Sequence, residues 1–490
     1  MIRGTKIVAT LGPATDDPKV LDEIIAAGVD VVRINFSHGS AEEHKQRCDI
    51  VRSRARAHGR QVGVMGDLQG PKIRIERFKE GKIHLNEGDA FALDTSLGRD
   101  EGDQEAVGLT YKSLVKDVKR GDILLLDDGQ IVLWVDSVAG TRIECKVRVG
   151  GALSNNKGIN RQGGGLSAGA LTAKDMADLQ TAAELDVDYL AISFPKSAAD
   201  INLARQLLRD AGCNGSIVAK VERAEAVENI EEIIDASDVI MIARGDLGVE
   251  IGDAELPGVQ KYIAALARQK DKVIITATQM MQSMVDSPIP TRAEVLDVAN
   301  AVMDGTDAVM LSAETAIGKY PAKVVEAMAR VCIGAEKNAP PVRTVGKKKE
   351  KAHTYSRTDE AIAKTSIYIA ERLGVKAIAA LTESGATALW MSRAISPIPI
   401  YALTPKVETR RKVTMYRGVH PVSFEINTTE HAQANKEAID DLVRRNAVRD
   451  GDLVIITKGD LMGAQGGTNA LKIVKVGEMP DPSEDVTMDT

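Results

Sequence analysis

The sequence predicts an eight-stranded (β/α)8 barrel interrupted by a small β domain and followed by a smaller α/β domain. Three observations carry that expectation. Short β-branched, apolar runs recur eight times, each followed by a turn signal and a helical pattern. Each run is hydrophobic almost throughout, as a parallel strand covered on both faces requires. The spacing is regular except between the third and fourth runs, where residues 71–167 intervene.

The runs are residues 6–11, 29–36, 61–67, 187–194, 216–222, 238–243, 272–278 and 307–311. Between them, Pro18–Ala27, 174–185, 227–236 and 258–269 have the apolar spacing of amphipathic helices. The insert differs in kind. Its short alternating strands, Lys82–Leu85, Ile123–Leu126, 131–135 and 142–147, are broken by Gly and Asp turns and predict an all-β unit. It returns through the glycine-rich stretch 150–169, which suits a hinge. An insert on this βα loop projects from the rim where barrel active sites lie, so it is read as a lid. The expected division is 1–70 with 168–340 for the barrel, 71–167 for the lid and 341–477 for the C-terminal domain. That last unit starts with a helix near Asp359 and carries strands at Ala377–Leu381, 400–402 and 453–457. The run 337–351, with two prolines and a KKKEK cluster, is read as a solvated linker, and the acidic tail 478–490 as disordered.

Composition narrows the class of function. At 490 residues the chain is long enough for several cores, and it carries a net charge of −7, which leaves no basic footprint for nucleic acid. No apolar run approaches the ~20 residues that cross a bilayer, and the start of the chain does not resemble a secretory signal. The four cysteines, Cys48, Cys145, Cys213 and Cys332, lack paired spacing. That disfavours a zinc site or disulfide framework and predicts a soluble protein of a reducing cytoplasm.

Polar residues close several strands. In AKVER, residues two apart share a face, so Lys220 and Glu222 point inward at the strand's C-terminal end. The bland alternative is a structural ion pair, but both charges follow a wholly apolar run at the catalytic rim. The next strand ends ARGDLGVEI, placing Gly245 and Asp246 where a helix opens and its amides attract an anion. Asp246 adds a second carboxylate, and two oxygen ligands completed by substrate and water suit Mg²⁺. Lys220 beside them supplies a fixed positive charge for a transferring phosphoryl group. The seventh strand ends at Thr278, and the eighth leads to Ser312 and Glu314. In VRINFSHG, Arg33, Asn35 and Ser37 alternate inward. Arg33 suits bidentate recognition of phosphate, and Asn35, Ser37 and Asp67 could make a hard-oxygen cation site.

Together these segments resemble the pyruvate kinase family, from Thr5 to about Leu471. The resemblance is carried by TKIVATLGPAT (5–15), RINFSHG (33–39), GDLQGPKIR (66–74), NNKGIN (155–160), AKVERAEAVENI (219–230), ARGDLGVEI (243–251), ITATQMMQSM (275–284) and PTRAEVLDVANAVMDGTDAVMLSAET (290–315), with GKYP (318–321) after them. It implies phosphoryl transfer from phosphoenolpyruvate to ADP, giving pyruvate and ATP. Arg33 and Lys220 would then bind phosphate, and Lys220 would stabilise the phosphoryl group in flight. Glu222 and Asp246 would hold Mg²⁺ or Mn²⁺. The Gly245 and Asp246 amides and Thr278 would fix the substrate carboxylate. Asn35, Ser37, His38, Arg74 and Lys157 fall where the family contacts nucleotide, and Ser312 and Glu314 where the enolate is protonated. A homotetramer is also implied.

One departure matters. Many members read D-T-K-G-P-E-I-R where this chain has Leu68 for the threonine and Lys72 for the glutamate. The threonine is a potassium ligand in that pattern, and leucine offers no side-chain oxygen. Lys72 is therefore expected to replace K⁺, leaving turnover largely K⁺-independent. In the C-terminal domain, Thr382, Glu383, Ser384, Gly385, Ala386 and Thr387 form a turn leading into a helix, where the family holds an effector phosphate. Glu383 suits a monophosphorylated sugar or nucleotide better than a bisphosphate. Two other readings compete: another Mg²⁺-dependent barrel enzyme acting on phosphoenolpyruvate or pyruvate, and an inactive sugar-phosphate sensor. The lid argues against the first, and retention of Lys220, Glu222 and Asp246 against the second.

Overall fold

The structure is a computed structural model that describes residues 2–338, 355, 357–425, 430–460 and 466–478. The KKKEK cluster and residues 479–490 of the expected tail lie outside the described residues. Eight parallel strands close into a barrel: Lys6–Thr10, Val31–Asn35, Gly63–Asp67, Tyr189–Ile192, Ser216–Val221, Val239–Ala243, Val273–Ala277 and Ala308–Leu311. Each lies inside one of the eight apolar runs, and the first strand pairs with the eighth, Lys6 opposite Ala308.

The barrel's alternation is plain in its two cores. Ile7, Ala9, Val32, Ile34, Val221, Ile240 and Ile242 face outward against the helices. Val8, Val31, Met65, Tyr189, Val218, Met241 and Ile275 fill the interior. Since Val31 and Val218 face inward, period two also turns Arg33 and Lys220 inward. The interior core runs on without a break into Ile367, Met391, Val413, Met415 and Tyr416, so the C-terminal domain plugs the barrel floor.

The insert folds as a six-stranded sheet beside a two-stranded one. Part of the stretch expected to be a hinge is strand instead, at Gly151–Ser154 and Ile159–Arg161. Each piece carries one buried apolar residue, Leu153 or Ile159, into the lid core, which is enough to recruit it. The conformational freedom is concentrated in Gly163, Gly164 and Gly165, all with positive φ. The C-terminal sheet has five strands in the order Val419–Ser423, Ile400–Thr404, Ala377–Leu381, Leu453–Gly459, Thr468–Lys475. Its two outermost strands were not foreseen. Pro421 masks the first, and a proline is tolerated there because the strand lies at an edge. Among the described residues no helix is long and apolar enough to cross a membrane.

The floor carries a repeat that periodicity alone does not single out. An aspartate precedes strands two, four, six and eight: Asp30, Asp188, Asp238 and Asp307. Each carboxylate accepts the backbone N–H of a residue in the preceding strand of the chain, from Ile7, Val64, Ile217 and Ile274 at 2.8–2.9 Å. Each also meets a guanidinium, from Arg3, Arg411, Arg205 or Arg393.

Candidate active site

At the opposite end the strands deliver their polar residues to one place. Asp67, which is fully buried, ends the third strand between two cations. Arg33 Nε reaches its Oδ2 at 2.6 Å, and Lys220 Nζ its Oδ1 at 3.2 Å. The same ammonium lies 3.0 Å from Glu222 Oε1 and 2.7 Å from Ser193 Oγ. Arg33 also donates to Thr10 Oγ1 at 3.1 Å. Burial favours the neutral acid at Asp67, but Lys220 and Arg33 outweigh it and hold the carboxyl below its ordinary value. Lys220 moves the other way: Asp67 and Glu222 overcome its burial and raise its pKa.

Glu222 differs from Asp67. Burial raises its pKa, the negative charges of Asp246 and Asp67 add to the rise, and Lys220 opposes it. Three carboxylates thus share two cations, a deficit that a divalent cation would relieve. Glu222 and Asp246 are the oxygen donors that fit such an ion. Among the described residues no three His, Cys, Asp or Glu side chains form a closed metal cluster. Substrate and water would supply the remaining ligands.

The sixth strand runs directly into the helix Arg244–Ile251, whose first turn holds Gly245 and Asp246. The Gly245 N–H donates to Thr278 Oγ1 at 2.8 Å. Thr278 and Gln279 both have positive φ, at +68° and +52°. For a β-branched residue that conformation is unfavourable by about 1–3 kcal/mol and needs outside support. Arg244 provides it, donating to Ala277 O at 3.2 Å and Thr278 O at 2.6 Å while pairing with Asp297 at 2.7 Å. Glu314, fully buried, accepts the Ser312 amide at 2.7 Å and the Met281 amide at 3.2 Å, so its carboxylate is fixed beneath the rim.

The remaining expected residues lie around this centre. Asn35 sits on the rim, its Oδ1 accepting Ser37 N–H at 3.1 Å, with His38 exposed beyond. Arg74 and Lys157 belong to the lid: Arg74 donates to Asn156 O at 2.8 Å, and Lys157 pairs with Asp127 at 2.8 Å. Lys72 lines the cleft between lid and barrel together with Asn160, Phe194, Asp246 and Glu250. The loop from Thr382 to Thr387 stands apart in the C-terminal domain. There Thr382 Oγ1 accepts Gly385 N–H at 3.0 Å, and Glu383 pairs with Lys406 at 3.1 Å.

Sequence reasoning missed Ser193, Phe194, Arg244 and Glu250. Glu250 joins lid to barrel: its carboxylate accepts Ala224 N–H at 3.0 Å and its carbonyl accepts Gly163 N–H at 3.0 Å. Burial pushes its pKa up to about 7. Ser193 had a readable signal, being a polar residue at the C-terminal end of a barrel strand like the others. Glu250 had none, since nothing local announces a contact made across the lid.

Comparison with known proteins agrees along the whole chain. The family model "Pyruvate kinase, barrel domain" matches residues 2–325, and "Pyruvate kinase, alpha/beta domain" matches residues 360–474. Pyruvate kinase II of Salmonella typhimurium is 56% identical over 480 residues, 97% of this chain and 99% of the relative. Pyruvate kinase of Haemophilus influenzae is 54% identical over 471 residues, covering 95% and 97%. Pyruvate kinase of Mycobacterium tuberculosis is 41% identical over 482 residues, covering 98% and 99%.

Proposed function

The chain belongs to the pyruvate kinase family, and on that premise we propose a role for each residue of its site. The enzyme is a phosphotransferase: it moves the phosphoryl group of phosphoenolpyruvate to ADP, giving pyruvate and ATP. Membership sets aside the barrel lyase and the inactive sensor. The barrel, the lid and the C-terminal domain are proposed to be catalytic, closing and regulatory units, with boundaries near 70, 168 and 340.

Phosphoryl transfer needs charge neutralisation more than covalent help. In our reading Arg33 grips the phosphate, and Lys220 neutralises the phosphoryl oxygens during transfer. The observation that carries this is the Lys220 ammonium held between Asp67 and Glu222 at the mouth of the barrel. The family generally requires Mg²⁺ and K⁺. Glu222 and Asp246 would hold the divalent ion, Mg²⁺ or Mn²⁺, which when bound supplies Lewis-acid polarisation of the substrate oxygens. Thr278 and the Gly245 and Asp246 amides would orient the substrate carboxylate. Glu314, fixed by two amides, would act with Ser312 in delivering a proton to the enolate. Asn35, Ser37, His38, Arg74 and Lys157 would receive the nucleotide. Lid contacts through Glu250 would exclude water as a competing phosphoryl acceptor. The test is ATP formation from phosphoenolpyruvate and ADP with Mg²⁺, comparing wild type with Lys220→Ala. Equal rates refute the assignment.

Three finer readings accompany it. Lys72 replaces K⁺; its ammonium has no ion-pair partner among the described residues. The loop from Thr382 to Thr387 binds a phosphorylated effector, for which Gly385 at φ +80° supports the required turn. Titrating sugar monophosphates while following half-saturation by phosphoenolpyruvate tests this, and no response to any of them rejects it. The enzyme assembles as a homotetramer in the cytoplasm. Exposed Tyr262, Ile289 and Leu296 on the barrel and the edge strand Thr468–Lys475 with exposed Ile473 support the assembly. Sedimentation as a monomer would reject it. The four buried, unpaired cysteines support the compartment.

A further inference from the structure

The fourth barrel strand, Tyr189–Ile192, is wholly buried and ends in Ser193 and Phe194, to which neither the motifs nor the family resemblance gave a role. Phe194 has φ +56°, a left-handed conformation unfavourable for a bulky side chain by about 1–3 kcal/mol. The bend places two groups. Ser193 Oγ lies 2.7 Å from Lys220 Nζ, and the Phe194 N–H donates to Glu222 Oε2 at 2.9 Å. We propose that Ser193 is a positioning residue for phosphoryl transfer, its hydroxyl fixing the Lys220 ammonium while the adjoining amide fixes Glu222. The proposal rests on the reading of Lys220 given above.

The direction of each bond supports this. Ser193 donates its own proton to Leu68 O at 2.8 Å, so the lone pair it turns to Lys220 can only accept. An ammonium has three N–H bonds. Here one N–H is hydrogen-bonded to Ser193 Oγ, while Glu222 Oε1 at 3.0 Å and Asp67 Oδ1 at 3.2 Å hold the ammonium as ion-pair partners. The Ser193 hydroxyl therefore gives the ammonium its directional contact, and the two carboxylates give it charge. The bend is itself braced. A Cβ at Gly70 would lie 2.8 Å from Ser193 Cβ, so only glycine leaves it room. On the other side the buried Arg223 guanidinium stacks 5.4 Å above the Phe194 ring.

A misplacement of about 1 Å in a charged group costs roughly 100-fold in turnover. Ser193→Ala is therefore expected to lower kcat about 10- to 100-fold, with KM for phosphoenolpyruvate changed less than about threefold. In a Lys220→Ala background the same substitution should have no further effect. If Ser193→Ala does not fold, Ser193→Cys carries the comparison, since a thiol is a poor acceptor of similar shape. An unchanged kcat, or a fall in stability with full activity per folded molecule, overturns the proposal. An active Lys220→Ala would sink the reading of Lys220 itself; an inactive Lys220→Ala beside a fully active Ser193→Ala would sink this inference alone.

Discussion

The two ends of the barrel bury charge in different ways. At the floor, Asp30, Asp188, Asp238 and Asp307 each take a strand amide and a guanidinium. Asp307 is the most enclosed, with Arg393 bound to both oxygens and the Arg417 amide at 3.1 Å. At the mouth, Asp67 and Glu222 share Lys220 and Arg33 with the negative charge of Asp246 added beside Glu222, and the backbone at Phe194, Thr278 and Gln279 has positive φ. Two of the floor pairs, Arg411 with Asp188 and Arg393 with Asp307, join the C-terminal domain to the barrel, and the other two lie within the barrel. Unmatched charge at the rim suits the metal and phosphate site proposed there.

The largest effect should separate the two ends. Lys220→Ala is expected to reduce kcat on the order of 10³-fold, comparable to loss of a preorganised electrostatic partner elsewhere, while far-UV circular dichroism stays unchanged. Asp307→Ala should do the reverse. Removing one partner of a buried pair costs about 3–5 kcal/mol, to be read in chemical denaturation, while kcat per folded molecule stays within about threefold. An Asp307 variant that keeps its stability but loses turnover would dissolve the distinction between floor and mouth.

How much of this was legible follows the same division. The eight strands were readable because a barrel strand is apolar on both faces, and Lys220, Glu222 and Asp246 were readable because each breaks such a run at its end. The four floor aspartates also break apolar runs, yet at the opposite end, and only the fold reveals what they pair with. Arg393 and Arg411 meet their partners 86 and 223 residues away, through a domain packing that no local pattern encodes. Phe194 was hidden for another reason: its residue type predicts strand, and its left-handed backbone is imposed by Gly70, Arg223 and Glu222 around it.

A smaller effect tests the floor by pH. His420 lies beside it, its ring 5.6 Å from that of Tyr401. Burial and the charge of Lys6, with Arg3 and Arg60, push its pKa down to about 3 against the attraction of Asp30. The unfolded chain protonates this histidine near pH 6.5, whereas the folded chain keeps it neutral. Stability from this group is thus complete above about pH 6.5 and is lost as pH falls towards 3. Between pH 7.5 and 5, His420→Phe should gain about 2 kcal/mol relative to wild type in denaturation experiments. Parallel pH slopes for the two proteins would refute the assignment.

The smallest effect concerns the mouth and its charge deficit. The expected cation ligands are largely engaged: both Asp67 oxygens face Arg33 and Lys220, and Asn35 Oδ1 accepts Ser37 N–H. Leu68 is buried, and its carbonyl accepts Ser193. Lys72, in the cleft beside Asp246, has no ion-pair partner among the described residues and can lend its charge there. Replacing K⁺ by a bulky tetraalkylammonium ion should therefore change wild-type turnover less than about tenfold, a difference under roughly 1.4 kcal/mol. Lys72→Glu removes the built-in cation and adds a carboxylate, so its turnover should become K⁺-dependent by more than that factor. A tenfold or greater loss in the wild type without K⁺ rejects the substitution. An equally K⁺-indifferent Lys72→Glu would place the compensating charge elsewhere in the mouth, with Arg33 and Lys220 the cations already there.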